Sequence, residues 1–356
     1  MRFLLFYNIN LRLLQTIGIM HSPTYPQDPH LNHENQTPYE RLDPNVILDA
    51  IETLGFICTG SLLALNSYEN RVYQIGIEDA EPLIAKFYRP HRWSSAAILE
   101  EHQFALELAE HEIPIVAPLI INNHTLHHYD DFKFALFPKR GGRALELDNS
   151  EQLEWMGRFL GRLHRVGACQ RFRHRIQLTL QSYGHDPYEF LIEQDFIPDY
   201  LKPNFCNTVE TALQKINQIF KNIGQVDQIR LHGDCHAGNV LWSESGPHIV
   251  DFDDCLMGPA IQDIWMLLSG EPQQMDMQLT KILQGYCEFH DFNPRERHLI
   301  EVLRTLRMLH YPGWLAKRWA DPAFPLSFPW FNTPVYWQNQ IINLNEQIEL
   351  LDQIEC

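Results

Sequence analysis

The chain changes texture near residue 140, and that change limits what it can fold into. Before it, short β-rich runs alternate with turns: "NRVYQIGI", "PLIAKFY" and "FKFALFP", with one strong helix among them. Only "EDAE" separates the first two runs, so they are expected to pair antiparallel through a short turn. The helix, "SSAAILEEHQFALELAEH", opens on serines, which satisfy the free N–H groups of a first turn. After "KRGGR", which reads as a hinge, the pattern turns mostly helical. In "EQLEWMGRFLGRLHRV", Leu153, Met156, Leu160 and Leu163 share one helical face. One β-rich island interrupts that half: "NVLW", a turn at "SESGP", then "HIVDFDD". The expected class is α+β and bilobal. Residues 38–139 form a small antiparallel-sheet N-lobe and residues 140–356 a mostly helical C-lobe. The cleft between such lobes is the natural place for a ligand.

Composition narrows the partners. A formal net charge of −17 repels phosphate backbones and anionic bilayers, so neither nucleic acid nor membrane is expected. The seven cysteines are scattered, odd in number and without a C-x-x-C pair, as in reduced thiols of a cytoplasmic protein. The opening run "MRFLLFYNINLRLLQTIGIM" is no signal peptide, because Asn8, Asn10 and Arg12 interrupt it and no small-residue cleavage site follows. No segment approaches the roughly 20 apolar residues of a membrane span. Residues 21–37 are polar and proline-rich, so 1–37 reads as a disordered or extraneous extension, with Met20 as an alternative start.

Two charged positions stand out in the N-terminal half. Projecting helix 95–109 places Ala97, Phe104, Ala105 and Leu108 on one stripe, with Glu101 in its middle and Glu100 at its edge. A carboxylate facing a core is costly unless a cation meets it. The preceding strand offers Lys86, set among Ile84, Ala85, Phe87 and Tyr88. Taken alone, Lys86 also fits a snorkelling surface lysine. With Glu101 it makes the pair that holds ATP phosphates in kinases.

The stretch "LHGDCHAGNVLW", residues 231–242, carries the densest chemistry. A zinc site would use His232, Cys235 and His236, but three ligands within five residues match no usual tetrahedral spacing. A Cys235 nucleophile needs a base in side-chain geometry that neighbours in sequence rarely supply. Read from His232, the stretch fits H-x-D-x-x-x-x-N, the spacing of a protein-kinase catalytic loop. Asp234 then accepts the proton of an attacking hydroxyl and Asn239 is an uncharged metal ligand. Asp251, at the end of the next strand pair, completes a hard-oxygen set suited to Mg²⁺.

The ordered set "NSYENRVY", "KFYRP", "EEHQFAL", "GRFLGRLH", "LHGDCHAGN", "VDFDD", "GPAIQDIWMLL" and "RWADPAFP" resembles the bacterial stress response kinase A family. That family lies within the aminoglycoside-phosphotransferase and choline-kinase superfamily of protein-kinase-like folds. The resemblance runs from about residue 41 to about residue 337. It implies an ATP-dependent, Mg²⁺-requiring serine/threonine protein kinase tied to envelope stress and protection from programmed death; a monomer is expected. By position, Asp234 is the proton acceptor, Asn239 and Asp251 bind Mg²⁺, Lys86 holds phosphate with Glu101, and Ser67 contacts the nucleotide.

Some features depart from ordinary protein kinases. No G-x-G-x-x-G precedes Lys86; "LNSYENRVY" stands in its place, where Asn66, Ser67 and Asn70 either contact phosphate or make an ordinary turn. There is no A-P-E segment, and "DFD" replaces D-F-G, with Asp253 a supporting acid or a further metal contact. Asp263 either caps a helix or braces the catalytic loop. His232 orients that loop by packing and hydrogen bonds, and Cys235 and His236 read as spacers. The aromatics from Trp314 to Phe331 read as core. Two other functions stay open: a phosphotransferase for an aminoglycoside, choline-like or homoserine-like alcohol, and a non-catalytic nucleotide-binding module.

Overall fold

The computed structural model describes residues 38–354 except Ser245, so the N-terminal extension and the alternative start at Met20 lie outside the described residues. The N-terminal half holds helix α1 (Pro44–Glu52), strands β1 (Cys58–Leu65), β2 (Arg71–Ile77) and β3 (Leu83–Phe87), and helix α2 (Ser95–Glu110). Strands β4 (His127–Tyr129) and β5 (Phe132–Pro138) complete a five-stranded antiparallel sheet in the order β1-β2-β3-β5-β4. The two runs flanking "EDAE" pair as expected, with Val72 opposite Lys86 and Lys86 opposite Ala135.

Strand alternation divides the sheet's faces. Ala85 and Phe87 point into a core with Ile47, Ala50 and Ile51 of α1. Tyr88 and Ala135 point the other way, against Ile98 of α2. Lys86 shares that second face, so the α2 side of the sheet carries the buried charge. Helix α2 begins where the serines mark it: Ser94 Oγ accepts a hydrogen bond from the Ala97 N–H at 3.1 Å.

Beyond the short strand β6 (Arg143–Ala144) come helices α3 (Ser150–Gly167), α4 (Asp186–Glu193) and α5 (Lys202–Ile223). The β-rich island follows as β7 (Ile229–Leu231), β8 (Val240–Ser243), β9 (Gly246–Ile249) and β10 (Leu256–Gly258). Helices α6 (Ile261–Trp265), α7 (Pro272–Tyr286), α8 (Ile300–Ala316), α9 (Ala323–Ser327) and α10 (Pro334–Asp352) close the chain. The "KRGGR" stretch runs into β6, which pairs with β8 and ties the lobe connection to the island.

Two cores support this half. One gathers α3, α7 and the island; α3 and α7 cross so closely that a Cβ on Gly157 would lie 1.9 Å from the Ile282 carbonyl oxygen. The other joins α5, α8 and α10 around Phe205, Phe324, Phe328, Phe331 and Trp337, and Trp314, Trp319 and Trp330 pack against it. The C-terminal aromatics are therefore core, as their composition suggested. Pro312 inside α8 cannot donate to the Met308 carbonyl, and Gln340 Nε2 of α10 donates to it instead at 2.8 Å. Among the described residues no helix is long and apolar enough to cross a membrane.

Candidate active site

Lys86 lies between three carboxylates, one from α2 and two from the loop after β9. Its Nζ is 3.2 Å from Glu101 Oε1, 3.1 Å from Asp253 Oδ1 and 3.4 Å from Asp251 Oδ1. Burial alone would lower the Lys86 pKa, but Asp253 and Glu101 outweigh it and keep the ammonium protonated. The snorkelling alternative is excluded, since Lys86 is 6% exposed. Two arginines, half-buried Arg92 and buried Arg175, complete the cluster. Arg92 pairs with Asp253 and Asp254. Arg175 Nε donates to the Cys255 carbonyl at 3.0 Å, and its guanidinium lies 4.1 Å from the Trp93 ring centroid. Burial would raise the Asp253 pKa, yet Arg92, Lys86 and Arg175 together hold it well below the usual carboxylate range. Asp253 is therefore a supporting acid that fixes Lys86 and Arg92.

The loop after β7 is held by paired strands on both flanks. Leu231 of β7 faces Leu256 of β10, so residues 232–239 and 250–255 leave one small sheet side by side. Gly233 sits at φ 84, and a Cβ there would lie 2.3 Å from the Asp254 carbonyl oxygen, so only glycine fits this crossing. Asp263, in the first turn of α6, accepts from the His232 and Gly233 N–H groups at 2.9 and 2.8 Å. Its Oδ2 also lies 3.1 Å from His164 Nε2. This settles the choice left open for Asp263 in favour of bracing the loop. His232 Nε2 donates to the Val250 carbonyl at 2.8 Å while Nδ1 accepts from the Asp234 N–H at 3.3 Å, so one imidazole links both loops.

Asp234 points its carboxylate at Arg307 of α8, with Oδ1 accepting from Nη2 at 2.8 Å. Burial would raise its pKa, but Arg307, His236 and His232 lower it further, and Asp234 is ionised at neutral pH. Asn239 Nδ2 donates to the Asp234 carbonyl at 2.9 Å, which assigns its amide nitrogen to the backbone and makes the oxygen its metal-type donor. The Val250 N–H bonds the Asn239 carbonyl at 3.0 Å, so Asn239 and Asp251 flank the joined bases of β8 and β9. Asp251 adopts φ 63 and ψ 70, a left-handed conformation that aspartate tolerates better than most residues and that concentrates at functional sites. Its side chain is 56% exposed while it reaches Lys86.

Oxygen donors from Asn239 and Asp251 fit a hard divalent cation. Such an ion takes one or two protein carboxylates and completes its shell with water and phosphate oxygens. The charges agree with this. Glu101, Asp251, Asp253 and Asp254 face Lys86, Arg92 and Arg175, four carboxylates against three cations.

Two sequence readings, those of Asn70 and His236, change. Asn70 is 3% exposed and its Oδ1 accepts from the Arg89 N–H at 3.0 Å, so it builds the loop and does not face a ligand. Ser67 lies in the β1–β2 connection, between the two strands that precede the lysine strand. His236 is more than a spacer: its Nδ1 accepts from the Gly238 N–H at 3.0 Å, and its Nε2 lies 3.5 Å from Asp234.

Cys235 lies in the helical core at 0% exposure, and burial raises its thiol pKa well above the ordinary value. Cys255 is equally buried and pushed up to about 12. Brief iodoacetamide treatment of the native protein should therefore alkylate exposed Cys169 and Cys287 and spare Cys235 and Cys255. Peptide mass spectrometry reads the result, and rapid alkylation of native Cys235 would revive the nucleophile reading.

Sequence reasoning missed Arg92, Arg175 and Arg307, the cations that set this electrostatics. It also missed Glu69 of the β1–β2 loop, which is 9% exposed, accepts from Trp314 Nε1 at 3.0 Å and pairs with Arg318. Nothing local marks any of them, because Asp253 for Arg92, Phe252 for Arg175, Asp234 for Arg307 and Trp314 for Glu69 all lie more than 70 residues away.

A strand lysine locked to a helix glutamate, opposite two acidic loops over a helical body, defines the class: a bilobal protein-kinase-like phosphotransferase fold. Comparisons with known proteins agree. Residues 61–300 match the model of the phosphotransferase enzyme family. Over 315 residues the chain is 44% identical to stress response kinase A of Escherichia coli K12, covering 88% of this chain and 95% of that protein. It is 43% identical over 321 residues to the serine/threonine protein kinase RdoA of Salmonella typhimurium, covering 90% and 97%. The chain belongs to the phosphotransferase enzyme family and, within it, to the family of stress response kinase A. The fold is shared with amicoumacin kinase hAmiN, solved with AMP-PNP and Ca²⁺, at a TM-score of 0.68 and 19% identity over 86% of this chain and 93% of that one. It is also shared with a microcompartment-associated aminopropanol kinase at a TM-score of 0.66 and 15% identity over 87% and 97%.

Proposed function

We propose that this protein is a cytoplasmic, monomeric, ATP-dependent serine/threonine protein kinase acting in a stress response. The observation that carries this reading is that the loop holding ionised Asp234 runs beside residues 250–255, which reach the Lys86–Glu101 pair. A binding module needs the second but not the first. The names of its relatives, stress response kinase A and serine/threonine protein kinase RdoA, support the acceptor class and the stress role.

In this mechanism residues 38–139 supply the nucleotide side and residues 140–356 the catalytic side. Lys86, fixed by Glu101 and Asp253, offsets phosphate charge, and Ser67 contacts the nucleotide from the β1–β2 loop. Asn239 and Asp251 would hold Mg²⁺, which when bound neutralises phosphate oxygens. Asp234 orients the acceptor hydroxyl and takes its proton as the oxygen attacks the γ-phosphorus and the bond to ADP breaks. Positioning and electrostatics supply most of the rate in such transfers.

A second reading, transfer to a small alcohol, is favoured by the chain's formal charge of −17, which suits a cationic acceptor. The aminopropanol kinase among its structural neighbours is consistent with that alternative. Incubation with Mg²⁺ and γ-labelled ATP, with a Ser/Thr protein and separately with a panel of alcohols, decides between them. Label on protein, absent in Asp234→Asn, is the expected result. Label only on an alcohol would establish the second reading, and no transfer at all would leave a nucleotide-binding module.

A further inference from the structure

The β1–β2 connection, residues 66–70, is tied down at three consecutive positions. The Tyr68 ring centroid lies 4.8 Å from that of Phe328, just past α9. Asn70 Oδ1 holds the Arg89 N–H, and the Tyr39 hydroxyl donates to the Glu69 carbonyl at 3.0 Å. The Glu69 side chain reaches further, out of its own sheet and into the helical half. Its Oε2 accepts from Trp314 Nε1 of α8 at 3.0 Å and pairs with Arg318, which follows that helix. Its Oε1 faces Arg89 Nε at 3.7 Å and Arg92 Nε at 3.8 Å. Arg92 in turn holds Asp253 and Asp254, and Asp253 Oδ1 lies 3.1 Å from Lys86 Nζ. One carboxylate thus joins the loop to the helical half and, through a single guanidinium, to the acids beside Lys86.

A carboxylate two residues from Ser67 would repel phosphate if its charge were left unmatched. Here three guanidinium groups surround it, and Glu69 is only 9% exposed. Its charge is balanced within the protein, so what it supplies to the loop is a fixed point. Two residues of chain reach at most about 7 Å, which keeps Ser67 within that distance of the anchor. Asn66 is exposed and Ser67 half-buried, immediately before the tied positions. Arg89 Nη1 and Asp321 Oδ2, 2.9 Å apart, form a second tie between the two halves of the chain. Replacing Glu69 should therefore loosen the loop without parting the halves. We propose that Glu69 is a positioning residue for the nucleotide: it holds the β1–β2 loop, and Ser67 with it, in register with Lys86 for the phosphate end of ATP. This inference rests on the nucleotide side of the reading above and holds for either class of acceptor.

The test measures binding to the full chain by calorimetry with Mg²⁺ and AMP-PNP, and reads adenosine by competition. Glu69→Ala should weaken AMP-PNP binding by about tenfold or more, the scale of one charge-assisted hydrogen bond, and leave adenosine binding unchanged. Glu69→Gln keeps an acceptor for Trp314 and should fall between alanine and the wild type. Trp314→Phe keeps an aromatic ring but removes the N–H donor, and should weaken AMP-PNP by about threefold with adenosine again unchanged. A merely structural role would act differently: it would reduce the number of binding sites for both ligands and leave each affinity intact. Unchanged AMP-PNP affinity in Glu69→Ala, or equal losses for AMP-PNP and adenosine, overturns the inference alone. Should Glu69→Ala fail to fold on thermal melting, Trp314→Phe decides by the same two criteria. If the wild type binds no AMP-PNP in the presence of Mg²⁺, the kinase reading falls, and this inference with it.

Discussion

Asp234→Asn should lower turnover by about 10²–10⁴-fold while nucleotide binding stays near the wild-type value. That loss corresponds to about 3–5 kcal/mol of transition-state stabilisation. Asparagine has the same shape and can still accept from Arg307, so the loop keeps its geometry. What disappears is a carboxylate able to take the acceptor's proton. The structure explains why this group is ready: Arg307, His236 and His232 outweigh burial and hold its pKa below the ordinary value. The sign of the linked stability follows. A carboxylate with a depressed folded-state pKa stabilises the fold above its unfolded pKa, and the contribution fades as pH falls through the folded value. The variant should therefore melt near the wild type in acid and slightly below it at neutral pH. Steady-state kinetics with a separate nucleotide-binding titration checks the assignment, and near wild-type turnover in the variant would move the proton acceptor elsewhere.

How far the site could be read from sequence depended on whether its parts were local. The strands around Lys86, the capped helix and the β8–β9 hairpin follow from short-range pattern, and so does the inward stripe of α2 that singled out Glu101. Its neighbour Glu100 was placed at the stripe's edge and left without a task. In the fold its carboxylate accepts the N–H groups of Arg173, His174 and Arg175 at 2.7, 2.7 and 3.1 Å. Helical projection gives direction but not what arrives from a distant segment. Arg175 makes the same point: "RFRHR" holds three arginines, and only Arg175 is buried. The difference comes from Glu101, Trp93 and the carbonyls of residues 252, 253 and 255, all remote in sequence. Arg307 was hidden for a similar reason, since an arginine on an amphipathic helix ordinarily faces solvent.

Asp263→Ala is expected to be the most destabilising single change near the site. The Asp263 side chain is 0% exposed and accepts from two backbone N–H groups of the catalytic loop while facing the buried His164 ring. Truncation leaves both N–H groups and one imidazole nitrogen without their acceptor in a place water does not reach. An unsatisfied buried donor costs about 1–3 kcal/mol. Loss of one partner of a buried charged network costs about 3–5 kcal/mol. A helix-cap role would predict only about 1 kcal/mol, so denaturant titration separates the two accounts by magnitude. Asp263→Asn keeps one acceptor oxygen but turns an NH₂ toward a donor, and should fall between alanine and wild type. Activity adds a second criterion. Gly233 and His232 hold Asp234 in register, so Asp263→Ala should lose turnover and stability together, whereas Asp234→Asn loses turnover with a nearly unchanged melting temperature. A stable, inactive Asp263→Ala would give Asp263 a role in the chemistry itself, and a stable, active one would remove it from the loop's support.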